Sequence, residues 1–119
     1  MKITSVYSGA DGESHFRDIE LNPKRDRHNP TVVSFKPIKA TRAFLREAKG
    51  ADNHDWHTAP RRQLVIILKG ELEIEVADGS KRRFGPGDIF LAEDTTGHGH
   101  LSRSFNRTGM YVPVEEEIS

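Results

Sequence analysis

The residues of this chain best suited to chemistry lie in two histidine-bearing clusters, Asp55-Trp56-His57 and Gly97-His98-Gly99-His100, with Arg61, Arg62 and Gln63 just after the first. Side chains two apart share a face in an extended chain, so Asp55 is expected beside His57 and His98 beside His100. Gln63 has the parity of His57, although Pro60 stands between them. Imidazole nitrogens with carboxylate or amide oxygens suit a divalent Fe, Mn, Ni, Cu or Zn ion. Without a metal, the same histidines can donate hydrogen bonds to a small polar or acidic ligand, or one can act as a general base beside a carboxylate. Arg61 and Arg62 can clamp a carboxylate or phosphate through bidentate bonds. Histidines in polar loops also serve as plain surface residues, which is the expectation for His15, His28 and His54, and Trp56 is expected to pack in the core or a pocket wall.

Several function classes are excluded by what the chain lacks. Cysteine is absent, so thiolate ligands, disulfides and a cysteine nucleophile are unavailable to it. There is no Gly-x-Ser-x-Gly elbow, no phosphate-cradling Gly-x-x-x-x-Gly-Lys-Ser/Thr loop and no Gly-x-Gly-x-x-Gly. Eighteen Lys plus Arg balance eighteen Asp plus Glu, so no net field draws in nucleic acid or an anionic membrane. No apolar run is long enough to cross a bilayer and residues 1–6 lack a signal-like apolar core, so a cytoplasmic protein is expected.

The elements that must position the clusters read as short strands. Leu64-Val65-Ile66-Ile67-Leu68 is a β-branched run expected to be buried on both faces. Glu71-Leu72-Glu73-Ile74-Glu75-Val76 alternates strictly, sending the glutamates to solvent and the apolar residues inward. Asp78-Gly79 reads as a two-residue hairpin turn and Pro86-Gly87 as the centre of a type II turn. Further strands are expected at 31–35, 41–46 (a short helix on propensity alone), 89–92, 101–105 and 110–114. Residues 23–30 and 49–53 read as polar loops. At 119 residues the chain is expected to be one domain, with a barrel core over about 41–114 and N-terminal strands in 1–40.

The order of these features resembles the cupin superfamily, whose motifs run Gly-x5-His-x-His-x3–4-Glu-x6-Gly and Gly-x5-Pro-x-Gly-x2-His-x3-Asn. Gln63-x6-Gly70 keeps the Glu-x6-Gly spacing with Gln for Glu. Gly85-Pro86-Gly87-Asp88 matches the turn before the second motif, and Gly97-x2-His100 its histidine, with Thr95 for the usual Pro and Ser104 for the usual Asn. Asp55-Trp56-His57 resembles His-x-His with Asp for the first His. The resemblance implies an all-β double-stranded β-helix, or jelly-roll barrel, of antiparallel strands. It implies a pocket holding one divalent metal ion on His57, Gln63 and His100, with Asp55, Arg61, Arg62 and His98 available to a small-molecule ligand. It also implies a homodimer. The function it implies is a metal-dependent oxygenase, isomerase or lyase; the alternative is a metal-free cupin that binds a small ligand without catalysis. Gln in place of Glu removes a negative charge from that ligand set.

Overall fold

The computed structural model describes residues 1–118, which contain ten β-strands and no helix. β1 (Lys2–Ser8) and β2 (Ser14–Glu20) form an antiparallel hairpin. β3 (Lys24–Arg25) and β4 (Val33–Ser34) form a ribbon apart from the main sheet. β5 (Phe44–Glu47), β6 (Ala51–His57), β7 (Gln63–Glu75), β8 (Lys81–Phe84), β9 (Ile89–Glu93) and β10 (His100–Pro113) join β1 and β2 in one eight-stranded sheet. With no helix among the described residues, none is long and apolar enough to cross a membrane.

Two long strands fold this sheet onto itself. The first half of β7 pairs with β9 and with the end of β10, which also pairs with β5; the second half of β7 pairs with β8 and with the start of β10, which also pairs with β6. The two layers are therefore β2-β1-β9-β7-β10-β5 and β8-β7-β10-β6, with β7 and β10 running through both. Strands that change layer do so at bends or bulges. Here the bend is at Gly70 in β7 (φ 74°), opposite Asn106 in β10 (φ 49°), where the pairing register shifts. A Cβ on Gly70 would lie 2.2 Å from the carbonyl oxygen of Asn106, so only glycine lets the backbones cross this closely.

The result is a jelly roll, as expected, with several local corrections. β1 pairs parallel with β9, so the strands are not wholly antiparallel; a tight hairpin can deliver only an antiparallel neighbour, and no hairpin joins these two. The expected strands 64–68 and 71–76 are parts of one strand because Gly70 bends β7 without breaking it. Likewise 101–105 and 110–114 fuse into β10. Residues 51–53, expected as loop, are extended because the edge of β10 offers them hydrogen-bonding partners, and pairing overrides weak propensity. Of 41–46, residues 44–46 lie in strand β5 and none is helical, and 31–35 shrinks to β4.

The Asp78-Gly79 hairpin has a three-residue loop instead of two. Gly79 N–H donates to the Val76 carbonyl at 2.9 Å and Val76 N–H to Ser80 at 3.0 Å, with Gly79 at φ 88°. The Pro86-Gly87 turn forms as expected, closed by Asp88 N–H donating to the Gly85 carbonyl at 2.9 Å.

Apolar residues from both layers meet inside: Val65, Ile67, Phe90 and Tyr111 from one, Leu72, Ile74 and Phe84 from the other. The Phe84 and Phe90 rings bridge the layers at 4.6 Å between centroids. A second cluster, Ile3, Leu21, Leu64, Leu91 and Val114, covers the outer face of β7 and β9. Leu64, Val65 and Ile67 of β7 are thus buried by this chain itself, Ile66 is half-buried, and Leu68, expected to be buried, is exposed. Leu72, Ile74 and Val76 point inward as expected. Glu73 and Glu75 are less open than expected, with side chains 19% and 18% exposed, because Arg83, Arg103 and Lys81 pair with them.

Candidate functional site

Between the two layers lies a cavity of about 220 Å3, walled by Val65, Leu72, Ile74, Phe90 and Ala92 and carrying a polar set at His57, Gln63, His100, Ser102, Arg46 and Arg107. Local backbone geometry puts each polar side chain there. Gly99, at φ 77°, sits so close to β6 that a Cβ would lie 2.0 Å from the His57 carbonyl oxygen. This approach seats His100 opposite His57 in register, with their rings 4.5 Å apart.

Each of those two imidazoles has one nitrogen already engaged. His57 Nδ1 donates to the Asp55 backbone carbonyl at 2.7 Å. His100 Nδ1 donates to Asp94 Oδ2 at 2.5 Å, and the two side chains are 8% and 0% exposed. Asp94 follows β9 directly, and its own carbonyl accepts from Ala59 N–H at 3.1 Å, tying it to the loop after His57. A histidine whose Nδ1–H is held by a buried carboxylate presents Nε2 as its free, basic nitrogen. Asp94 Oδ1 is buried with no partner, so Oδ2 makes the carboxylate's one side-chain bond.

Residues 43–110 match the family model described as Cupin domain. The chain is a cupin. The matched span is more than half of the sequence and contains every cavity residue named above. A search of curated proteins finds no match. Among solved structures, a putative ethanolamine utilization protein Q from Salmonella typhimurium LT2 is 11% identical, with a TM-score of 0.39 over 94% of each chain.

Of the residues this cupin's sequence singles out, His57, Gln63 and His100 line one cavity. Asp55 does not share their face. β6 is bulged, so that the register passes from His57 opposite His100 to His54 opposite Ser102, three residues against two. The extra residue turns His54 toward the cavity, where its Nε2 donates to Asp52 at 3.1 Å. It leaves Asp55 exposed, accepting from Trp56 N–H at 2.8 Å.

His98 also parts from His100, because it precedes β10: it stacks on Trp56 at 4.5 Å and meets Glu13 through Nδ1 at 3.0 Å, away from the cavity. Trp56 is correspondingly half-buried against His98 rather than part of the core. Arg62 faces Glu93 at 3.6 Å, a carboxylate also held by Arg17 and Ser5. Arg61 reaches the Gln63 oxygen at 3.5 Å.

Five cavity or near-cavity groups were not singled out by the sequence: Asp94, Arg107, Arg46, Ser102 and Tyr111. Arg107 is 8% exposed and donates from Nη2 to Asp52 at 3.0 Å. Arg46 lies over the Tyr111 ring, 5.5 Å from its centroid. The Glu93-Asp94 pair ending an apolar strand was the one available signal for Asp94, since a carboxylate there must find a partner when buried.

The donor set fits a resident divalent cation poorly. Three imidazoles line the cavity, but His54 Nε2 is taken up by Asp52, which leaves His57, His100 and the neutral amide of Gln63, whose oxygen already faces Arg61. No carboxylate lines the cavity, two guanidinium groups do, and no group of three His, Asp or Glu side chains is spaced for a metal among the described residues.

Proposed function

We propose that this cupin binds a small organic molecule in the cavity and moves a proton on it, in an isomerase-type or lyase-type reaction, with His100 as the base and no metal. The carrying observation is the buried His100–Asp94 pair opening on an apolar-walled cavity. Asp94 fixes the tautomer and ring orientation, and Nε2 of His100 takes the proton. The same Nε2 returns that proton to the molecule, while His57, 4.5 Å away ring to ring with its Nδ1–H committed to Asp55, offers its Nε2 as an acceptor.

Proton exchange in D2O, followed by NMR over a set of small carbonyl and carboxyl compounds, tests this. Exchange at a C–H next to the carbonyl is expected with wild type and is expected to fall about 10²-fold or more in His100→Asn and Asp94→Asn. Exchange that survives both substitutions in folded protein, or that never rises above the buffer rate, sinks the reading.

The homodimer stands as part of the same reading, with a changed surface. On the strand 64–68 Leu64 is already covered while Leu68 stays exposed, so the support comes from the exposed apolar residues Leu68, and Val32, Val33 and Ile38 in and around β4. A sedimentation mass of one chain at micromolar concentration overturns it.

A further inference from the structure

We infer that the molecule this cavity takes is a small carboxylate, anchored by Arg107 with Arg46 as the second cation; the inference deepens the proton-transfer reading and rests on it for the choice of cavity. It starts from the way β10 is built. In the first half of the strand the even-numbered residues His100 and Ser102 face the cavity, and in the second half the odd-numbered Arg107 and Tyr111 do. The change of parity falls at the irregular stretch from Phe105 to Gly109, where the pairing with β7 shifts twice around the left-handed Asn106. Without it Asn106, Thr108 and Met110 would face inward and the arginine would face solvent.

Holding that stretch requires strained and specific geometry. Asn106 is the one non-glycine residue with positive φ among the described residues, at 49°. It is clamped from both sides of Gly50: Gly50 N–H donates to Asn106 Oδ1 at 2.8 Å, and Asn106 N–H to the Gly50 carbonyl at 3.0 Å. Ala48 N–H donates to the Arg107 carbonyl at 2.8 Å. Strain held this firmly marks a position where the conformation serves a purpose. Its product is a buried guanidinium.

That guanidinium is underused by the protein. Nη2 bonds Asp52, Nε is buried without a partner, and Nη1 has no partner among the described residues. Asp52 also accepts from His54 and is 32% exposed on its side chain, so it pairs with only one of three guanidinium nitrogens. Arg46 and Arg107 against Asp52 leave one positive charge in excess at the cavity mouth. A planar guanidinium with free donors matches a carboxylate. The volume, about 220 Å3, is below the roughly 300 Å3 at which drug-sized sites begin, so the acid is small. A carboxylate on Arg107 also places the neighbouring C–H in the same cavity as His100.

The test is a melting-temperature screen with acetate, pyruvate, lactate and benzoate, each beside its uncharged amide, and with inorganic phosphate. At least one carboxylate is expected to raise Tm by about 4 °C at tenfold excess over its Kd, and its amide by nothing measurable. Arg107→Gln is expected to abolish the shift, and Arg46→Gln, at an exposed position, to weaken it several-fold without touching the fold. Asn106→Gly keeps the left-handed backbone and is expected to retain binding, whereas Asn106→Val is expected to lose it.

Amides that match their acids, a shift unchanged in folded Arg107→Gln and Arg46→Gln, or no response to any carboxylate overturns the inference. Phosphate shifting Tm more than every carboxylate overturns it too, in favour of a phosphate monoester. Carboxylate binding without proton exchange upholds it and fells the proton-transfer reading. Exchange on neutral carbonyl compounds alone does the reverse.

Discussion

His100 and Asp94 are joined by a 2.5 Å hydrogen bond in which the carboxylate is wholly shielded and the imidazole nearly so. The bond stabilises the fold as well as fixing the ring. Asp94→Ala leaves His100 Nδ1–H buried and unpaired, which costs about 1–3 kcal/mol. Urea unfolding should show this loss. An Asp94→Ala midpoint equal to wild type would mean that the pair is not held as described.

Gly70→Ala should be strongly damaging, as should Gly99→Ala. A Cβ on Gly70 would lie 2.2 Å from a backbone oxygen that cannot rotate away, at a φ of 74°. A left-handed alanine alone costs about 1–2 kcal/mol, and the clash adds to it. Loss of more than about 2 kcal/mol is expected in denaturant unfolding. Gly79→Ala, with nothing within 4 Å, pays the backbone term alone and serves as the control.

Ile67 is fully buried between the layers. Ile67→Ala is expected to cost about 2–5 kcal/mol by chemical denaturation, through lost transfer energy and the remaining cavity. A cost under 1 kcal/mol, about a single exposed contact, would contradict the packing.

Hydrogen bonding to Arg83, aided by Arg103, holds the Glu73 carboxyl below its ordinary value of 4.5. A carboxyl whose folded pKa is depressed stabilises the native state fully above its unfolded pKa and loses that contribution as pH falls through the folded one. Glu73→Gln should therefore be less stable than wild type at neutral pH, with the gap closing as pH falls from about 4.5 downward. Urea midpoints for both proteins across that range would check it; a gap that widens in acid is the opposite of what the pairing requires.

Dialysis against a chelator is expected to leave Tm unchanged, and elemental analysis to find Fe, Mn, Ni, Cu and Zn far below one per chain. The reason is the chemistry of His57, Gln63 and His100 beside Arg46 and Arg107. Stoichiometric metal, lost together with thermal stability on chelation, would refute this account of the cavity.

The jelly roll was legible because its signals are local. Alternation over 71–76 and the Gly85-to-Asp88 turn depend on neighbours in sequence, and both took the expected shape. The candidate site was half legible. His57 and His100 could be picked out, but the faces assigned to Asp55 and Arg107 hinge on bulges in β6 and β10 that the pattern of residue types does not announce. Asp94 reaches His100 from just outside the strand that carries it, a pairing that depends on tertiary approach rather than on any motif. Arg62 looked free for a ligand because Glu93, its partner at 3.6 Å, lies on a distant strand.

Because β7 and β10 belong to both layers, the walls of the cavity share their framework. Both layers hang on the same two paired strands, bent together at Gly70 and Asn106, so their separation is fixed along that shared edge. Whatever enters must thread through the rim beside Arg46 and His54 and find its contacts already in place. Selectivity in such a vessel is set at folding, by the dimensions of a rigid mould, and rejecting an oversized visitor requires no motion at all.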